Sequence, residues 1–82
     1  EHTNVASSLN SLGLLYNKQG RYYEAETLYK KALAILKKTF GPEHTEVALQ
    51  LNNQASLYLN QGRFDEAELL YKRTLAIREK KL

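Results

Sequence analysis

Proton transfer or metal ligation in this 82-residue chain would have to draw on His2, His44, the single aspartate Asp65 and the scattered glutamates. The two histidines sit in identical Glu-His-Thr triplets, 42 residues apart. If each triplet opens one unit of a helical stack, the units hold them roughly 10 Å or more apart. Joint metal ligation is therefore not expected, and each histidine is expected to order its own corner between helices. Asp65 falls where the first turn of a helix should be. No glycine-rich phosphate cradle is present, since Gln-Gly-Arg at 19–21 and 61–63 reads as a helix stop. Cysteine is absent, so thiolate nucleophiles, thiolate metal sites and disulfides are all excluded. The expectation is no catalytic residue, no metal, no cofactor and no enzyme. Only a pocket holding a strongly perturbed titratable group would revive an enzymatic reading.

Amides and hydroxyls are the more informative side chains. The segments NVASSLNSLGLLYNK and EVALQLNNQASLYLNQ carry one charge each, Lys18 and Glu46. Exposed helix positions ordinarily favour Lys, Glu and Arg, whereas asparagine forms helices poorly. Asn10, Asn17, Asn52, Asn53, Ser56 and Asn60 are thus tolerated there for some purpose, as is Ser11. Each amide offers both a donor and an acceptor, which suits the backbone of an extended peptide. With Leu14 supplying apolar contact, Asn10, Leu14, Asn17, Asn52, Asn53, Ser56 and Asn60 form the candidate peptide-binding set; Leu59 could add a further apolar contact. The competing reading is structural, with the amides capping and cross-linking adjacent helices, because buried amides are normally satisfied locally.

Such residues need elements to place them, and the chain declares those elements twice. QGRYYEAETLYKKALAI (19–35) returns as QGRFDEAELLYKRTLAI (61–77). At a 42-residue offset roughly 22 of 40 aligned pairs are identical, which makes the chain two copies of one supersecondary unit. Within each copy the apolar spacing is helical: Leu9, Leu12, Gly13 and Tyr16, then Ala25, Leu28, Tyr29, Ala32, Leu33 and Leu36. Thr3 and Thr45 stand where N-caps belong. Gly20 and Gly62 can end the first helix of each copy, and Phe40-Gly41-Pro42 closes the second helix of copy one. The fold class predicted is all-α, two tandem helix-turn-helix hairpins stacked as a solenoid fragment. Repeat 1 spans 1–42, with helices at about 4–19 and 22–40. Repeat 2 spans 43–82, with helices at about 46–61 and 64–81. Small residues at Gly13, Ala25, Ala55 and Ala67 allow close helix approach, with Tyr16, Tyr29, Tyr58 and Tyr71 as wedges around them. Cofactor stacking on these tyrosines is the lesser alternative to core packing.

Composition narrows the partner. No run of about eighteen apolar residues exists, so a membrane span is not expected, and no signal-peptide pattern is present. The missing initiating Met suggests a start inside a larger protein. The cysteine-free composition fits a reducing, cytoplasmic setting. The net charge of +3 is modest. Its acids precede its bases within each second helix, as a helix dipole favours, and the bases lack interleaved exposed aromatics, so no nucleic-acid partner is expected.

These positions resemble the tetratricopeptide repeat, a helix–turn–helix unit of 34 residues. The matching residues are Leu9, Leu12, Gly13, Tyr16, Ala25, Tyr29 and Ala32 in copy one. In copy two they are Leu51, Gln54, Ala55, Tyr58, Ala67, Tyr71 and Thr74, where Gln54 and Thr74 depart from the apolar or small residues of copy one. The 42-residue period, together with FGPEHTEVA and LNN, looks like the kinesin-light-chain-type subfamily. That resemblance implies a protein-interaction scaffold whose concave wall is formed by the first helix of each repeat. It further implies that Asn10, Asn52 and Asn53 line a groove for short cargo peptides. The chaperone-type carboxylate clamp of related proteins fits less well: Asn53 matches, but Asn10 stands where lysine is needed and Leu14 where asparagine is. A competing function is homo-oligomerisation, because uncapped repeat ends should expose Leu69, Leu70, Leu75 and Ile77.

Overall fold

Helical periodicity without a strand pattern yields four helices, α1 (His2–Lys18), α2 (Tyr22–Phe40), α3 (Thr45–Asn60) and α4 (Phe64–Lys81). The structure, a computed structural model, describes residues 2–81, with side chains from 4 to 80. The side chains of His2 and Thr3, and the end of the chain at Leu82, lie outside that description. Among the described residues there is no strand.

Each hairpin turns on a glycine. Gly20 and Gly62 adopt φ of +77° and +76°, a left-handed conformation that side chains rarely take. The N–H of Arg21 then reaches the Tyr16 carbonyl at 2.8 Å, and that of Arg63 the Tyr58 carbonyl at 2.8 Å. This six-to-one bond satisfies carbonyls that a helix end would otherwise leave orphaned. At the start of α3 the cap is His44, not Thr45: its Nδ1 accepts the Glu46 N–H at 3.0 Å. His44 also stacks on Phe40, with ring centroids 4.4 Å apart, so the imidazole ties the end of α2 to the start of α3. Threonine one position later is already inside the helix.

The two layers of helices give Cα extents of 34 × 32 × 15 Å. A 15 Å thickness is what two layers give at an axis separation of ~8–10 Å with Cα radii of ~2.3 Å. Gly13 is central to that approach. A Cβ built on it would lie 2.7 Å from Cε1 of Tyr29, closer than carbon atoms tolerate. The Tyr29 ring therefore rests against bare backbone of α1, in one cluster with Leu57 of α3 and Ala25. A second cluster joins Ala6, Ala32 and Leu36 to Val47, Leu51 and Ile77, which runs the core through both hairpins.

Repeat symmetry does not carry over to burial. Tyr71, expected as a core wedge, is 37% exposed. Tyr29 owes its enclosure to Leu57 of the following hairpin, and no described residue does the same for Tyr71. Ile77 and Leu70 also depart from expectation. Ile77 is buried against Val47 and Leu51, and Leu70 is half-buried. The exposed large hydrophobic residues described on α4 are Phe64, Leu69, Tyr71 and Leu75. Thr74, the polar departure in copy two, is buried and donates its hydroxyl to the Ala48 carbonyl at 3.3 Å.

Candidate functional site

Helices α1 and α3 run side by side in the same direction, and two amide pairs show it. Asn53 Nδ2 donates to Asn10 Oδ1 at 3.2 Å, and seven residues further along Asn60 Nδ2 donates to Asn17 Oδ1 at 2.9 Å. Both pairs span 43 residues, one repeat plus one, because neighbouring helices meet across facing stripes and not at identical positions. Four of the seven candidate peptide-binding residues are thus engaged with one another. Asn17 is buried beneath this ladder. Asn10, Asn52 and Asn53 are half-buried, whereas Leu14, Ser56 and Asn60 are exposed. Asn52, Ser56 and Leu14 have no described hydrogen bond or ring contact.

A cleft of about 380 Å³ opens between the first halves of α1 and α3. Ser7 and Asn10 face Glu46, Leu49 and Gln50 across it, with Phe40 and Leu36 contributed by α2. Of the candidate set only Asn10 lines it. Ser7, Glu46, Leu49 and Gln50 were missed. Glu46 was legible as the sole charge on its helix; the others required the pairing of α1 with α3. Gln50, one of the lining residues, is buried, with an Nε2 that lacks a hydrogen-bond partner among the described residues. Gln54, one turn on, is buried with Oε1 likewise unpaired. A buried amide group without a partner costs about 1–3 kcal/mol. Two such atoms, Gln50 Nε2 and Gln54 Oε1, thus lie buried on one helix.

The strongest electrostatic feature sits elsewhere, at the junction of α2 with the end of α3. The Glu26 carboxylate accepts from the Tyr58 hydroxyl at 3.1 Å and pairs with Lys30 at 3.2 Å and with Arg63 at 3.3 Å. Burial works to raise its pKa. Hydrogen bonds from Lys30 and Tyr58, with the charges of Lys30 and Arg63, outweigh that burial and hold it below the ordinary carboxylate value. Burial pushes the Tyr58 hydroxyl up, and the neighbouring Glu26 carboxylate pushes it further. Burial likewise raises Tyr29, with the Asn17 amide acting in the opposite direction. Arg63 lies over the Tyr58 ring, 4.0 Å from its centroid, and clamps Glu66 through Nε and Nη2 at 2.8 and 2.6 Å. These groups are mutually neutralised and lie outside the cleft, which is the arrangement of a structural joint and not of a general acid or base. Among the described residues no three His, Cys, Asp or Glu side chains gather as a metal site requires, and no helix is long and apolar enough to cross a membrane.

Comparison with known proteins agrees with this geometry. The family model described as tetratricopeptide repeat matches residues 4–80. A 41-residue stretch, half of this chain, is 42% identical to protein O-mannosyl-transferase TMTC2 of Mus musculus. It spans 5% of that protein, so the likeness concerns a short segment of a much longer chain.

Proposed function

From the premise that the chain belongs to the tetratricopeptide repeat family, whose members are generally protein-interaction scaffolds, we propose that it binds an extended peptide of a partner protein along the α1–α3 face. The observation that carries this reading is the cleft between those helices, where hydroxyl, amide, carboxylate and apolar side chains converge. Glu46 suits a basic side chain of the peptide, while Leu49 and Phe40 suit an apolar one. Asn52 and Ser56, with no described partners, continue the same face with donors and acceptors for peptide backbone. Asn10 and Asn53 can share their remaining hydrogen-bonding capacity with a ligand while keeping the bond between them. Membership of the kinesin-light-chain-like subfamily, and with it a cytoplasmic setting, belongs to the same proposal and draws support from the 42-residue period.

Peptides selected from a random library against the intact chain supply the probe. Asn52→Ala and Glu46→Ala break no described cross-helix bond, and each should weaken a selected peptide by about tenfold while leaving helicity unchanged. Binding that ignores both substitutions would overturn the groove assignment. Asn10→Ala and Asn53→Ala are less diagnostic, since they also cut the amide ladder.

A second reading, association of copies through the repeat ends, is favoured by a separate observation. Leu59, Phe64, Tyr71 and Leu75 form a nearly wholly apolar groove of about 300 Å³ on the outer side of α3 and α4.

A further inference from the structure

Resting on that second reading, we propose that copies of this chain join head to tail in one fixed register, set by Arg21 of one copy meeting Glu68 of the next. The junction between the two hairpins supplies the template. There Arg63 lies over Tyr58, grips Glu66 with Nε and Nη2, and extends Nη1 to Glu26 of the preceding hairpin at 3.3 Å. Glu26 in turn is held by Lys30.

Both halves of this device recur on the outer surfaces, 42 residues away, without the Tyr58 and Arg63 bonds to Glu26 and without the bond that Arg63 Nη1 also gives Gln61 at 3.2 Å. Arg21 lies over Tyr16, 4.2 Å from the ring centroid, and grips Glu24 with Nε and Nη2 at 3.2 and 3.0 Å. Its Nη1 has no described partner. At the opposite end Glu68 is paired, among the described residues, only with Lys72, at 3.5 Å, and its side chain is 65% exposed against 14% for Glu26. Glu68 and Lys72 form part of the wall of the apolar groove on α4. The knob for that groove also exists. Leu57, which clusters with Ala25 and Tyr29 inside the chain, corresponds to Leu15, which is 49% exposed on α1. Seating Leu15 beside Ala67 and Tyr71 would bring Tyr16 and Arg21 onto Glu68, as Tyr58 and Arg63 sit on Glu26. Charge complementarity and continuity with the internal junction thus name a second copy as the occupant. The guanidinium is already oriented by its own hairpin, so little side-chain freedom is lost on docking.

The copy is imperfect: Arg78 stands where the internal junction has buried Leu36 in the cluster with Val47 and Leu51, and the amide ladder is incomplete. The amide pairs Asn10–Asn53 and Asn17–Asn60 would become Asn52–Ser11 and Leu59–Lys18, which reproduces half of the ladder. Contact between copies should accordingly be weaker than the internal junction and depend on concentration. Because the two surfaces differ, the contact is heterologous and propagates as an open stack unless its rotation happens to close a ring.

Sedimentation across a concentration series provides the test. The chain should associate, more weakly at high salt. Arg21→Glu and Glu68→Arg should each raise the apparent dissociation constant by about tenfold, with helicity preserved by circular dichroism. Mixing the two variants in equal amounts should restore association, because every altered face then meets its counterpart. Leu15→Asp should abolish association and should not be rescued by either. A strictly monomeric wild-type chain would overturn both end-to-end association and the register. Association that persists unchanged in Arg21→Glu and Glu68→Arg, or a mixture that fails to recover it, would overturn the register while leaving association standing.

Discussion

Gly13 and Ala55 occupy the same place in the two repeats and differ by one methyl group, and the equivalent rings of Tyr29 and Tyr71 are buried to different degrees. Tyr29 rests on Gly13 with no room for a Cβ, enclosed between α1 and Leu57. Tyr71 is partly exposed, with a methyl group already present on Ala55. In Gly13→Ala the ring must shift inside a packed cluster, at about 1–3 kcal/mol of strain. The substitution recovers ~1 kcal/mol of helix propensity, so the expected outcome is a net loss of stability. A lowered midpoint in urea would register it; a raised midpoint would show that the ring yields freely. The need for glycine here was visible in the sequence only as a small residue. That small means bare follows from the position of the Tyr29 ring, which depends on an element 28 residues beyond it.

At the scale of elements, helix limits were legible to within a residue or two because capping and turn chemistry is local. Gly20 and Gly62 end their helices in the left-handed conformation that their residue type favours. The cap of α3 was misplaced because threonine is the commoner capping residue, whereas here an imidazole acceptor reaches the Glu46 N–H first. His44→Ala should destabilise the chain by about 0.5–2 kcal/mol, the range for a lost N-cap. His44→Asn keeps an acceptor in that position and should recover most of the loss except the stacking on Phe40. Thermal unfolding of the two variants distinguishes capping from stacking: equal losses would assign the role to the ring alone.

For the whole molecule, the decisive feature is that the hairpins are joined by a charged cluster above an apolar one. Glu26 brings α2 to Tyr58 of α3 and to Arg63 beyond it, so its ionisation is coupled to the docking of one hairpin on the other. Its folded-state pKa lies below the ordinary value near 4.5. The stabilisation is therefore present in full above the unfolded-state pKa and is lost as pH falls through the lower, folded one. Glu26→Gln should cost stability at neutral pH and flatten the acid limb of the stability profile below pH 4.5. Denaturant melts at a series of pH values check this, and an acid limb identical to the wild type would place the coupling elsewhere. Glu24 and Glu66 are also lowered, chiefly by hydrogen bonds from Arg21 and Arg63, but both are solvent-facing partners within a single turn and should contribute less.

Residue types and a 42-residue recurrence were enough to determine four helices, their turns and a stack of two hairpins, because periodicity, capping and backbone preference act over a few neighbouring positions. The same information identified the asparagines as unusual without showing which of them face each other. Only tertiary structure paired Asn10 with Asn53 and Asn17 with Asn60, left Asn52 over, and set Ser7 opposite Leu49. Identical residues also met different fates, Tyr29 covered and Tyr71 partly bare, Glu26 enclosed and Glu68 open. Burial belongs to what lies across an interface, and that is settled by how helices dock, not by the order of residues along either one.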